Sequence, residues 1–517
     1  MQKLSICITS DIHGYIAPTN YRNMIEENMG LAKIATIMKK IREQNDVIIM
    51  DNGDFIQGSP FTYYFAKYHK EQTSPLVHIA NRLNYDFSVF GNHEFNYGLE
   101  YLQAVIENSQ YPWLSANILD EETKEPFFGK PYLIKETAGK KIAFIGLTTH
   151  YIPNWEDPNH IKGLLFEDAC TSAKKWVKKV KELEQPDLLV VCYHGGLERD
   201  PDGGEPTEAL TGENQGYQIC QEVEGIDILI TGHQHRYITA NINGVTVIQT
   251  GNNGQALGEI SIEWDGGAVH SIQSKLHYVD EKIHTDREIF ELIEKDEKEV
   301  QEWLDQPITE VVGDMSISDP FQARLEEHPF VEYINLLQMD IANVTISCTA
   351  LFHDQSPGFP ARVTMRDIVS NYIYPNTLKV LRLKGKDIKE ALELSASYFE
   401  IDDNGEIAIN PQFIEPKPQH YNYDMWEGIH YELNISRPIG ERVTELQYQG
   451  EPLDLDKEFN VVMNNYRASG GGNYFMFQGK EVVKDIPIDM TELIADDLLN
   501  KEKLLAKCNH NYSVVKK

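Results

Sequence analysis

The sequence predicts a mixed α/β protein of two domains, the first built on layered sheets. Three observations lead there. The chain has 517 residues, more than one hydrophobic core organises. Residues 1–280 alternate seven short apolar runs with amphipathic helical patterns, the rhythm of sheets covered by helices. After about residue 310 the alternation restarts. This places a helical linker at 281–310 and a second α/β domain at 311–517.

The runs are "LSICIT" (4–9), "VIIM" (47–50), "FSVF" (87–90), "IAFIGL" (142–147), "DLLVVCY" (187–193), "IDILIT" (226–231) and "VTVIQT" (245–250). Short, apolar and rich in β-branched types, they are expected to form buried strands. "LAKIATIMKKIREQ" (31–44) carries apolar residues at helical spacing. Thr285 to Gln306 reads as one amphipathic helix. Thr285 and Glu288 form a capping box, Ile289, Ile293, Val300 and Leu304 recur at helical spacing, and Pro307 ends it. Its other faces are dense in Glu and Lys, which suits a solvated connector. The second domain ends its pattern in the glycine-rich "NNYRASGGGNYF" (464–475). No Gly-Lys-Ser/Thr follows, so the loop is not a P-loop.

Composition narrows the partners. A net charge of −33 repels polyanions, which argues against nucleic-acid polymers and anionic membranes. A small anionic substrate fits only where something local inverts the potential, as bound divalent metals do. No apolar run reaches the ~18 residues of a spanning helix. The N-terminal "MQKLSICITSD" lacks the apolar segment and cleavage site of a signal peptide. A cytoplasmic chain is expected; a secreted chain whose signal has been removed is the alternative. The cysteines at 7, 170, 192, 220, 348 and 508 form no CxxC pair, so reduced, buried thiols are expected.

The chemistry sits where the apolar runs end. The first run is followed by Asp11 and His13, and "VIIMDNGD" ends in Asp54. "FSVFGNHE" brings Asn92 and His93, "VVCYHGG" brings His194, and "ILITGHQH" brings His233 and His235. Residues two apart on an extended strand share a face, so Asp11 with His13, and His233 with His235, are expected to point two ligands one way. In layered α/β folds the C-terminal strand ends line a common crevice. Two carboxylates and several imidazoles exceed the needs of one four-coordinate ion. A dinuclear site with one bridging carboxylate uses them all, its ions ~3.5–4 Å apart and clamping a transferring phosphoryl group. The mixed nitrogen and oxygen donors suit Mn, Zn, Fe or Co better than Ca.

"DIHG", "GD", "GNHE", "HGG" and "GHQH", in this order, resemble the calcineurin-like metallophosphoesterases, and "GNHEF" with a following domain resembles the 5′-nucleotidase family. The resemblance covers nearly the whole chain. It implies a four-layer α-β-β-α metallophosphoesterase sandwich followed by a nucleotidase C-terminal domain that binds substrate. It also implies that Asp11, His13, Asp54 and His235 hold one metal. Asp54, Asn92, His194 and His233 then hold the other, with Asp54 bridging. His93 is then no ligand; it faces the phosphate as acid or charge stabiliser.

Two departures point to a branch. 5′-Nucleotidases usually read GNHEFD, whereas this chain has Asn96 behind His93. Their C-terminal domain carries an NGGGIR-like segment whose Arg clamps phosphate, where this chain reads "SCTALF" (347–352). Both departures, with "GNHEFNYG", "YPNTL" (374–378) and "NNYRASGGGN" (464–473), resemble the 2′,3′-cyclic-nucleotide 2′-phosphodiesterase/3′-nucleotidases. That likeness implies that Tyr374 and Tyr466 sandwich the base, with Asn376 and Asn473 as polar contacts. Aromatic faces stack purines and pyrimidines alike. The expected activity is hydrolysis of 2′,3′-cyclic nucleotides at the 2′ bond and of 3′-nucleotides to nucleoside and phosphate. The alternatives are a 5′-nucleotidase or UDP-sugar hydrolase, and a non-catalytic nucleotide-binding protein.

Overall fold

A computed structural model describes residues 2–517 except 24, 71–73, 138, 155, 209, 266, 267, 373, 375, 416, 417 and 487. Pro375 of "YPNTL" thus lies outside the described residues. Contacts divide the chain into two compact units, Met1–Gln301 and Glu302–Lys517.

In the first unit all seven apolar runs lie in strands, shared between two six-stranded sheets. One sheet runs Ala268–Tyr278, Ala256–Asp265, Gln2–Thr9, Asp46–Asp51, Phe87–Val89, Trp113–Leu114. The other runs Tyr237–Ile242, Val245–Thr250, Ile228–Thr231, Leu188–His194, Lys140–Thr148, Tyr132–Thr137. The two-residue period of each strand decides what it buries and where. Leu4, Ile6 and Ile8 of the first sheet meet Ile142, Phe144, Val190, Cys192 and Ile230 of the second in one cluster between them. The alternate residues Ile145, Leu147, Val191 and Tyr193 face outward and pack with Trp176 and Val177 of helix Ala169–Glu184. Helix Leu31–Arg42 packs on strands Asp46–Asp51 and Ala256–Asp265 of the first sheet. The result is four layers, helix on sheet on sheet on helix. Each fully buried Leu, Ile or Phe in them contributes about 1.5–3 kcal/mol.

Strand direction positions the chemistry. Gln2–Thr9, Asp46–Asp51 and Phe87–Val89 are mutually parallel neighbours, as are Lys140–Thr148, Leu188–His194 and Ile228–Thr231. Within each sheet their C-terminal ends therefore share one edge.

The stretch 285–306 departs from the single helix expected of it. It forms two helices, Arg287–Glu291 and Glu294–Leu304, and the cap is Asp286, not Thr285. The Asp286 carboxylate accepts the Ile289 N–H at 3.1 Å and also meets Lys39 Nζ at 2.7 Å. That ion pair favours Asp over Thr as the cap. Ile289, Ile293, Val300 and Leu304 are all buried.

The second unit centres on a five-stranded sheet in the order Asp424–Glu427, Ile346–Ala350, Glu458–Asn464, Leu378–Lys384, Val482–Ile486. Helices Pro329–Ala342 and Gly385–Ala396 pack against it. All six cysteines are free thiols, five of them buried and Cys508 partly exposed. Among the described residues no helix is long and apolar enough to cross a membrane.

Candidate metal centre

Each ligand-type residue of the first unit follows a strand's C-terminal end closely. Asp11 lies two residues past Thr9, Asp54 three past Asp51, Asn92 three past Val89, and His233 two past Thr231; His194 is the last residue of its strand. The paired ligands do not use the face of an extended strand, as their spacing led one to expect. Asp11 (φ 54°), His13 (φ 50°), Asp54 (φ 56°), His233 (φ 68°) and His235 (φ 58°) all adopt left-handed backbone. The strands have already ended, and the chain must turn sharply to bring the side chains into one place. For a residue with a Cβ this conformation costs roughly 1–2 kcal/mol. Hydrogen bonds between loops hold it: Asp11 N–H donates to Gly53 O at 2.9 Å and His13 N–H to Asp54 O at 2.8 Å.

The donors converge. Asp11, His13 and His235 present ligand atoms within 4.8 Å of one another; so do His13, Asp54 and His93, and so do Asp54, His194 and His233. Asn92 joins them, its Oδ1 lying 2.8 Å from His233 Nδ1. Orientation shows what the cluster fits. His13 Nδ1 donates to Gln57 O at 3.0 Å and His194 Nδ1 to Asn52 O at 2.6 Å. A carbonyl can only accept, so the neutral form of each ring keeps its lone pair on Nε2. His13 Nε2 faces His235 Nε2 at 3.0 Å, and His194 Nε2 lies 3.1 Å from Asp54 Oδ2. A shared proton or a cation satisfies such facing atoms, and imidazoles oriented by backbone carbonyls are in the usual posture toward a metal.

Burial and close approach couple these groups strongly. Burial drives His13 down to about 3, with His235 adding to the effect. Burial also disfavours charge on His194, but Asp54 outweighs it and lifts that ring to about 10. Burial pushes the Asp54 carboxyl up, yet His194 and His93 hold it well below the usual carboxylate range. At Asp11, too, burial opposes ionisation, and the bond to His235 with the field of His194 prevails.

Three carboxylates here carry no signal in the sequence pattern. Glu94 is fully buried and accepts N–H groups from Asp54 at 2.8 Å, Phe55 at 2.7 Å and Gly91 at 2.6 Å, tying two ligand loops together. Glu213 Oε1 lies 2.8 Å from His233 Nε2, which it orients. Glu156 explains Asn96. His93 Nδ1 meets Asn96 Oδ1 at 2.6 Å, while Asn96 Nδ2 donates to Glu156 Oε2 at 2.6 Å. The neutral amide is thus a link, with a carboxylate one residue further out.

In the second unit Tyr421 stands nearly perpendicular to both Tyr374 and Tyr466, at 6.4 and 6.3 Å between centroids. Phe352, the end of "SCTALF", meets Tyr374 edge-on at 5.6 Å. Buried Arg467 pairs with Asp424 at 2.7 Å and donates to the Tyr421 and Gly471 carbonyls, which anchors this aromatic group from beneath. Asn376 is buried, whereas Asn473 is exposed with φ 69°. Tyr421 and Phe352 are the members of this group that sequence reading did not single out.

Residues 4–237 match the family model for calcineurin-like phosphoesterase, and residues 311–479 that for the 5′-nucleotidase C-terminal domain. The chain is 29% identical to a 2′,3′-cyclic-nucleotide 2′-phosphodiesterase/3′-nucleotidase of Salmonella typhimurium, over 90% of this chain and 81% of that protein. It is 26% identical to the trifunctional nucleotide phosphoesterase protein YfkN of Bacillus subtilis, over 99% of this chain and 39% of that longer protein. Among solved structures, a Staphylococcus aureus protein assigned as a 5′-nucleotidase, in complex with α-ketoglutarate, is 38% identical with a TM-score of 0.91. The match covers 99% of this chain and 100% of that one.

Three variants test the cluster. Asp54→Ala removes the donor common to two ligand groups, so elemental analysis should show the loss of every ion held in the first unit, together with activity. In His93→Ala the metal should stay while turnover falls ~10²–10⁴-fold, the range for losing a positioned proton donor; equal metal loss in both variants would make His93 a ligand. Glu94→Gln turns an amide N–H₂ toward buried N–H donors. Each group left unpaired costs about 1–3 kcal/mol, so the denaturation midpoint should fall and metal affinity with it; an unchanged midpoint would deny Glu94 its place as clasp.

Proposed function

Since the chain belongs to the 5′-nucleotidase family of calcineurin-like phosphoesterases, we propose that it hydrolyses nucleotides in a fixed order. It opens 2′,3′-cyclic nucleotides at the 2′ bond and then removes the 3′-phosphate. The observation that carries the reading is the position of Asp54, grouped with His194 and His233 on one side and with His13 on the other, while His13 is grouped in turn with Asp11 and His235. In this reading Asp11, His13, Asp54 and His235 hold one divalent ion, and Asp54, Asn92, His194 and His233 a second. Ions bound there lower the pKa of water and neutralise phosphoryl charge. Mn, Zn, Fe and Co all suit the donor set.

The remaining steps belong to side chains. His93 is oriented through Nδ1 by Asn96, and Asn96 by Glu156, so Nε2 is the nitrogen turned to substrate. As the oxygen of water bonds to phosphorus and gives up one proton to solvent, the P–O2′ bond breaks and the proton on His93 Nε2 passes to the departing oxygen; solvent then returns a proton to His93. The same sequence at the 3′ position releases nucleoside and phosphate. Tyr374 and Tyr466 stack the base, each worth roughly 1–3 kcal/mol, and Asn376 and Asn473 are its polar contacts.

The name of the Salmonella relative pairs these two activities, and that of the Bacillus relative supports a nucleotide phosphoesterase. So do Asn96 and the absence of Arg from 347–352. Arg324, which touches the neighbouring Leu351 carbonyl, is fully buried and paired with Asp354 at 2.6 Å, so it offers no phosphate clamp in its place. A second reading, 5′-nucleotidase, is favoured by the assignment of the Staphylococcus aureus protein. Phosphate release from 2′,3′-cyclic AMP, 3′-AMP and 5′-AMP with added Mn²⁺ decides. A nucleotide held by its base presents its 3′- and 5′-phosphates in different directions, and misplacement by about 1 Å costs on the order of 10²-fold. kcat/KM for 3′-AMP should therefore exceed that for 5′-AMP by at least ~10²-fold; equal rates hand the assignment to the 5′-nucleotidase reading. Replacing Tyr374 and Tyr466 together by Ala should raise KM for nucleotides and leave a small aryl phosphodiester nearly unaffected, since it has no base to stack.

A further inference from the structure

The second unit holds another group of ligand-type side chains, which nucleotide hydrolysis does not use. Glu327, Glu332 and Cys508 each offer a ligand atom, and these atoms lie within 4.8 Å of one another. Glu327 precedes helix Pro329–Ala342 and Glu332 sits in its first turn. Cys508 belongs to the segment 506–511 between strands Lys503–Leu505 and Tyr512–Val515. Those two strands pair into different sheets, one with Pro307–Val312 and the other with His430–Asn434. The segment therefore crosses from sheet to sheet directly over the acids.

The acids are out of water. Glu332 and a third carboxylate, Glu427, are each 6% exposed, and the Glu327 side chain is 3% exposed. Each spends one oxygen on the crossing segment. Glu327 Oε2 accepts the His510 N–H, Glu332 Oε2 the Asn509 N–H at 2.9 Å, and Glu427 Oε1 the Asn509 Nδ2 at 3.0 Å. These bonds explain how residues 509 and 510 dock, and they leave charge unanswered. Glu327 Oε1 is buried and has no hydrogen-bond partner. Among the described residues the ion-pair partner of these three carboxylates is the His510 ring, 3.9 Å from Glu327 Oε2 and 84% exposed; no Lys or Arg pairs with them. Buried carboxylates without a cation repel one another and lose hydration with no return. Burial together with Glu327 lifts Glu332 to about 8, and burial with the same glutamates lifts Cys508 to about 12.

We propose that Glu327, Glu332 and Cys508 bind a structural zinc ion, with water or Glu427 in the fourth position, and that this ion staples the crossing segment to the helix. One sulfur beside carboxylate oxygens suits borderline-soft Zn²⁺; the hard ions Mg²⁺ and Ca²⁺ take oxygen donors. Binding displaces two protons to solvent, that of the Cys508 thiol and the one Glu332 holds at neutral pH, so the thiolate and the carboxylates share the ion's charge. The site stands apart from the nucleotide reading and survives its failure.

The test uses the full chain carrying Asp54→Ala, which silences the first unit's cluster. After equilibration with Zn²⁺ and gel filtration, one zinc per chain should remain. Co²⁺ in its place should give a thiolate-to-cobalt charge-transfer band. Adding Cys508→Ser should abolish the band and weaken zinc binding at least ~10-fold. Glu332→Gln, nearly isosteric, should weaken it similarly, with circular dichroism reporting that both variants stay folded. Absence of zinc and of the band in the Asp54→Ala chain overturns the proposal and leaves Glu327 and Glu332 sharing a proton. Zinc retained undiminished by both added variants overturns it equally.

Discussion

Asp54 ties the first unit's site together, and all four of its polar groups are engaged there. Its N–H donates to Glu94 at 2.8 Å and its carbonyl accepts from His13 N–H at 2.8 Å. Its Oδ1 accepts the His93 N–H at 2.8 Å, and its Oδ2 lies 3.1 Å from His194 Nε2. Residues from three strand ends thus converge on one carboxylate. The glycines beside the ligands follow from that crowding. A Cβ on Gly91 would stand 2.2 Å from Asp54 Oδ1. One on Gly53, whose φ is 97°, would stand 2.5 Å from the Gly91 nitrogen.

The geometry is costly in isolation. Five ligand-type residues hold left-handed backbone, the Asp11, Asp54 and Glu94 carboxylates are buried at 1% exposure or less, and imidazole nitrogens are turned inward. Such strain persists only where the surroundings over-determine it. The surroundings are the parallel strands, which fix where each loop starts, and the Glu94 carboxylate, which draws the 53–56 and 91–94 loops together. Divalent cations repay the rest by joining donors that otherwise repel. A chain of net charge −33 can then accept a phosphate in one place, because the local field there is inverted.

The parts of this arrangement legible in the sequence are those that repeat locally. Seven apolar runs announced strands, and ligand types at their ends announced a crevice, because parallel strands deliver their C-termini to one edge. The left-handed turns were not legible: Asp-x-His and His-x-His spacing fits an extended strand equally well. Glu156 and Glu213 act on partners 60 and 20 residues away, across loops with no periodicity to register them. Glu94 stood in plain view beside His93, but its role is to accept backbone N–H groups, which no side-chain pattern reports. At 285–306 the helical period was right, but the start and the continuity were not: Asp286 finds Lys39 and caps the helix one residue later, and the helix breaks between Glu291 and Glu294.

In the proposed mechanism Asp54 joins two metal ions. Anomalous diffraction at the manganese edge, from crystals of the wild-type chain equilibrated with Mn²⁺, tests it most directly. Two peaks are expected in the first unit, ~3.5–4 Å apart, both within coordination distance of the Asp54 carboxylate. A single peak there, or a pair of which only one touches Asp54, would contradict it.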